Sequence, residues 1–175
     1  MLAMIRRAAV VLAAIALLTT ALPATSGRAG SALGDGAAAG TLTVNGKTTT
    51  VSHAYALSVP GFFDKNTNDT LVIVSDVPLD AKALADEFAR AALAKAGKLH
   101  AFEITIDASG TPVSTAWRHN GFDGPMPSGL SSDDVFTRTV LDGKVVEGGY
   151  KSAAPGDFFG NSYAFDVTFR ATIGH

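Results

Sequence analysis

From Ser162 to Ile173 the chain alternates in strict period two. Tyr163, Phe165, Val167, Phe169, Ala171 and Ile173 are interleaved with the small or polar Ser162, Ala164, Asp166, Thr168, Arg170 and Thr172. Successive side chains of a strand point to opposite faces, so this pattern predicts a strand with one face in a core and the other in water. Sheets wetted on one side are antiparallel, which makes hairpins the next thing to seek.

Two hairpin signals are present. Asn45-Gly46 follows Thr41–Val44 and suits a two-residue primed turn, pairing Val44 with Lys47 and Leu42 with Thr49. Read onward as one strand, the return places Val51, His53, Tyr55, Leu57 and Val59 on the face of Leu42 and Val44. The small residues Ser52, Ala54, Ala56 and Ser58 then take the other face. Asp142-Gly143 joins Val135–Leu141 to Lys144–Lys151, a register that sets Val140 against Val145 and Arg138 against Glu147. Leu71–Val74 is apolar throughout, as expected of a central strand covered on both faces. Leu99–Asp107 carries His100, Phe102, Ile104 and Ile106 on one face, and Val113–His119 carries Trp117, the only tryptophan.

One stretch has helical period. Asp80 is a candidate N-cap behind Pro78, and Gly97 suits a left-handed C-terminal position. At 100° per residue Ala81, Ala85, Ala89, Ala92 and Ala96 form one face, bordered by Leu84, Phe88 and Leu93. Lys82, Asp86, Glu87 and Arg90 lie opposite, with Asp86 and Arg90 spaced as an ion pair. An alanine-centred face approaches its partner closely, and the small-residue face from Ser52 to Ser58 is the natural partner. The expected fold is therefore mainly β (α+β): an antiparallel sheet, or a partly closed barrel or sandwich, of about seven to nine strands with one packed α-helix at about 80–97.

The ends and the composition bound the rest. Arg6 and Arg7 precede an apolar run from Ala8 to Leu18, followed by small residues at Ala21, Ala24 and Ser26. This is the layout of a secretory signal peptide over 1–24, and the run is short for a membrane span. Residues 25–40, rich in Gly and Ala, are expected to be a flexible mature N-terminus, leaving 41–175 as a single β-rich domain. The expected location is export, to a periplasm or beyond, with no membrane span in the mature form. The 175 residues contain no cysteine, so no disulfide supports the core. Loss of Arg6 and Arg7 takes the net charge from −2 to about −4, and the remaining Lys and Arg are scattered. Nucleic acid is not an expected partner.

No motif carries a reaction. There is no G-x-S-x-G, no H-E-x-x-H, no Walker loop and no thiol, and the four histidines have no metal spacing. Asp64, Asn66 and Asn68 begin a calcium-loop pattern, which fails at Asp69 and Ser75, where Gly and Glu are required. Neither an enzyme, a metal site nor a cofactor is expected. Candidate binding residues are the aromatics Phe62, Phe63, Trp117, Phe158 and Phe159, which would line a barrel mouth if both diaromatic loops share one end. His53 and His100, on strand faces, are the polar candidates. The long Asn120–Asp134 connection, with its Gly, Pro and Ser, is expected to be functional. The expected function is a protein-interaction or structural module of the cell envelope. The alternative is a binder of a small apolar or amphipathic ligand in a partly closed β-barrel, and the second alternative is an enzyme of unrecognised type. Finally, TLTVNGK followed by PGFF echoes TRTVLDGK followed by PGDFFG, which suggests a duplicated β-unit with the helix between the copies.

Overall fold

The computed structural model describes residues 33–130 and 133–174. The expected signal peptide and the residues just after it lie outside the described residues. Ten strands and two short helices follow: β1 (Ala37–Val44), β2 (Lys47–Thr50), β3 (His53–Pro60), β4 (Asn68–Ser75), α1 (Ala81–Ala85), α2 (Glu87–Lys95), β5 (Ala101–Ile106), β6 (Pro112–Arg118), β7 (Val135–Leu141), β8 (Val145–Lys151), β9 (Gly156–Phe158) and β10 (Asn161–Gly174). β1 begins at Ala37, inside the stretch expected to be flexible, because Ala37–Gly40 pair with β10. Gly40 is required there: a Cβ would lie 2.0 Å from the Asp166 carbonyl oxygen across the ladder.

The strands form one curled sheet, a half-barrel in the order β6-β5-β4-β3-β1-β10-β8-β7. Every neighbouring pair in that order is antiparallel. An additional parallel contact sets Ile173 and Gly174 of β10 beside Ala56 and Leu57 of β3. The first hairpin has the expected register, with Val44 opposite Lys47 and Leu42 opposite Thr49. The second differs. A bulge between Arg138 and Val140 sets Val140 against Glu147, and the Asp142 carboxylate accepts from the N–H groups of Lys144 and Val145 in the loop. Glu147 consequently pairs with Arg170 on β10 instead of with Arg138.

The β2–β3 segment corrects a larger expectation. It is not one strand: the ladder to β1 ends at Thr50, and β3 pairs along its whole length with β4. The break reverses the alternation, because a one-residue slip moves every side chain to the other face. Ala54 and Ala56 therefore face the interior with Leu42, Val44, Val72 and Val74, while Tyr55 and Leu57 face outward. β4 is covered on both sides, as its apolar run requires.

The helix lies over the outward face, on Tyr55, Leu57, Leu71 and Ile73, not on the alanine face of β3. It is also two helices. Asp80 caps α1 by accepting from Ala83 N–H at 2.7 Å, and Asp86, in an extended conformation, caps α2 by accepting from Phe88 N–H at 2.8 Å. The break re-phases α2 relative to α1, so a single helical wheel fails. Ala83, Arg90 and Ala94 are buried, while Ala81, Ala85, Ala92 and Ala96 are exposed and Phe88 is 77 % exposed. Arg90 does not pair with Asp86. Its guanidinium donates to Glu103 on β5 at 2.7 Å and to the carbonyls of Ala83 and Leu84 at 2.7 and 3.0 Å, satisfying the end of α1. Arg118 on β6 approaches the same carboxylate at 2.8 and 3.0 Å. Gly97, at φ 67°, ends α2 as expected, with Lys98 N–H bonded to Leu93 and Gly97 N–H to Ala94.

Candidate functional site

The inward alternation of β5, β6, β8 and β10 converges on an aromatic interior. Phe102 stands 4.4 Å from Phe165 and 5.2 Å from Trp117 between ring centroids, and Tyr150 lies 5.0 Å from Phe165. Trp117 also meets Phe122 and Tyr163, each at 5.5 Å. Edge-to-face contacts of this kind add to burial, and here they fill the half-barrel with the chain's own side chains.

β6 and β7 are the two edges of the sheet and do not pair with each other among the described residues, and the connection that follows β6 turns back along the β6 edge at residues 127–129. Ser128 bridges to Ala116, the Pro127 carbonyl accepts from Trp117 N–H at 3.0 Å, and Gly129 N–H donates to Thr115 at 3.0 Å. The loop thus covers the β6 edge, as an exposed ladder requires. Beside it lies a cavity of about 100 Å³ lined by Thr115, Trp117, Pro127, Ser128, Gly129, Leu130, Asp134, Phe158, Tyr163 and Phe165. This is the mouth of the half-barrel. Its electrostatics are those of an acid against aromatic rings. Burial raises the Asp134 carboxyl above the usual range, offset in part by the Ala153 N–H, and Asp133 raises it further. Burial and then the Asp134 charge push the Tyr150 hydroxyl up to about 12, and the Tyr163 hydroxyl is raised by burial, Asp134 and Asp157.

The rim is held by a strained turn. β9 meets β10 through Phe159-Gly160, at φ 50° and 77°, the same left-handed pair as Asn45-Gly46 at 49° and 76°. Asn tolerates that region; a bulky Phe is an outlier in it. Phe159 is 78 % exposed and packs edge-to-face on Phe158 at 4.8 Å. Buried Asn161 fixes the turn. It donates to the carbonyls of Phe158 and Phe159, while its Oδ1 accepts from Asn45 Nδ2 at 2.9 Å and Asp123 N–H at 3.0 Å.

A second polar cluster closes the same end of the sheet. His100 N–H and Nδ1 both engage the Asp76 carboxylate, at 2.8 and 2.7 Å, and His100 Nε2 lies 3.0 Å from Asn120 Oδ1. His119 sits 4.4 Å from His100 between ring centroids, and its Nδ1 accepts from Gly121 N–H at 2.9 Å. Burial first, then His100, lowers the His119 imidazole to about 4, against a raising pull from Asp76. Every ring nitrogen of the pair is occupied by the fold itself, which makes the cluster a structural closure. Among the described residues no group of three or more His, Asp or Glu is arranged to hold a metal ion. A shallow groove on the outer face, about 480 Å³, runs past Leu57, Leu71, Leu84, Glu87 and Arg90.

Of the residues singled out in the sequence, Trp117 and Phe158 meet in the mouth and Phe159 stands at its rim. Phe62 and Phe63 do not join them. β10 and β3 run parallel, so the β3–β4 loop lies at one end and the β9–β10 turn at the other. Phe63 is 81 % exposed there, beside Phe62, whose N–H is held by Asp69. His53 faces outward with Tyr55, and His100 inward with Phe102, so the two do not converge. Pro127, Leu130 and Asp134 come from the Asn120–Asp134 connection singled out in the sequence, which gave none of them a role of its own. His119 was passed over, though it was within reach two residues beyond inward-facing Trp117. Asp134 stands beside Asp133 in the sequence, and a loop without periodicity does not show which of two adjacent acids lines a cavity.

No protein-family model matches the chain, and no curated protein or solved structure matches it at a significant level.

Proposed function

We propose that this protein is an exported, non-catalytic interaction module of the cell envelope that meets a protein partner with the rim of its half-barrel mouth. The observation that carries the reading is where the aromatic residues stand. Phe102, Trp117, Tyr150 and Phe165 fill the interior, while Phe159 is held outward at a backbone cost. Leu130 and Val135 are exposed as well. Backbone strain concentrates at functional positions, and exposed aromatics are enriched in protein interfaces. An enclosed acyl chain has little support, since a cavity of about 100 Å³ is well below the roughly 300–1,000 Å³ of drug-sized pockets.

The test is site-specific photocrosslinking in the producing organism, with benzoylphenylalanine at position 159 and, in parallel, at position 63. The expected result is one protein adduct of defined mass from position 159. Failure of position 159 to give a discrete protein adduct would overturn the reading.

A further inference from the structure

We propose that the mouth cavity is a receptor for one lysine side chain of the partner, its ammonium at Asp134 and its stem against Trp117, Phe158 and Leu130. The inference rests on the interaction reading and names the chemistry of its contact. Three observations carry it.

First, size: about 100 Å³ is roughly the share of three waters, enough for the end of one slender side chain. Second, charge: Asp134 lines the cavity together with Tyr163, whose hydroxyl its charge reaches, as it reaches that of Tyr150 in the aromatic interior. Among the described residues no lysine or arginine forms an ion pair with Asp134, whose carboxylate accepts from the Ala153 N–H, so an ammonium arriving from outside would be its first ion-pair partner among them. Third, the walls: tryptophan, tyrosine and phenylalanine attract an alkylammonium through their ring quadrupoles, more so where water is excluded. A guanidinium fork asks for two acceptors in one plane, whereas a single carboxylate among rings suits the point charge of lysine on an apolar stem.

Trp117 is the only tryptophan and lines the cavity, so its emission reports occupancy directly. The full chain is titrated with N-acetyl-lysine N-methylamide, with the norleucine counterpart that keeps the stem and lacks the ammonium, and with choline as a free organic cation. The expected result is a saturable shift with the lysine compound and at least about tenfold weaker binding of the norleucine compound. Asp134→Asn should bring the two to the same affinity. Phe158→Ala should weaken both, and melts of each variant show that the fold is kept. Equal binding of lysine and norleucine compounds by the unaltered protein would remove the cation. Tighter binding of choline would remove the polypeptide side chain as its source, and no shift with any compound would remove the site. Photocrosslinking at position 159 is scored separately. A lysine-specific shift without a protein adduct retains the cavity and rejects the partner; an adduct without the shift does the reverse.

Discussion

Phe159 and Asn45 occupy the same backbone conformation in two turns of one protein, and only one of them suits it. A left-handed residue costs roughly 1–2 kcal/mol unless it is Gly, or an Asn or Asp that bonds locally. Phe159→Asn should therefore raise stability by about 1 kcal/mol in thermal melts. A lower melting temperature would mean that the exposed ring stabilises the fold, against the account of it as a recognition residue. His119 gives the second prediction at this scale. Its folded value near 4 lies below the unfolded 6.5, so the unfolded chain binds the extra proton between them. Stability is fully present above about 6.5 and is lost as the pH falls toward 4, by on the order of 3 kcal/mol. Urea melts across that range should show the slope in the native protein and a flatter one in His119→Gln; an unchanged slope would acquit His119.

At the scale of elements, the pair of helices is tied to the sheet through charge as much as through leucine. Glu103 lies between Arg90 and Arg118, and both Arg90 and Glu103 are almost wholly buried. Two guanidiniums left around a missing carboxylate are expensive. Glu103→Ala should destabilise by about 3–5 kcal/mol in denaturant melts, whereas Ala81→Leu, on the exposed side, should stay within about 0.5 kcal/mol. A small effect at Glu103 would move the anchoring to Leu84 and Leu93. The alternation of β10, the Asn45 hairpin, both helix ends and the double cover of β4 were legible because each is a local pattern with a local cause. The packed face of the helix was not. One extended residue, Asp86, reset its phase, and the bend after Thr50 reversed the parity of β3. Neither leaves a mark in periodicity. Ala54→Leu should cost about 1–3 kcal/mol in thermal melts by overpacking the half-barrel interior, where Ala54 is buried.

At the scale of the whole molecule, the echo between the two halves acquires a geometry. β1-β3-β4 and β7-β8-β10 follow one another in the same order across the sheet and run in opposite senses. That reversal sends Phe62 and Phe63 to one end and Phe158 and Phe159 to the other, which is why two similar loops do not build one mouth. Alternation showed which residues of β5 and β10 point inward, and failed for β3; it could not show that the sheet stops short of closing. The chain's own rings fill that interior, and the proposal that recognition belongs to the rim stands on this filling. Brominated fatty acids quench tryptophan on contact, and Trp117 stands between the aromatic interior and the mouth. Titrating the protein with one should give no saturable quenching of its single tryptophan. One-to-one quenching that saturates would show that the half-barrel opens to hold an acyl chain, and would contradict the account.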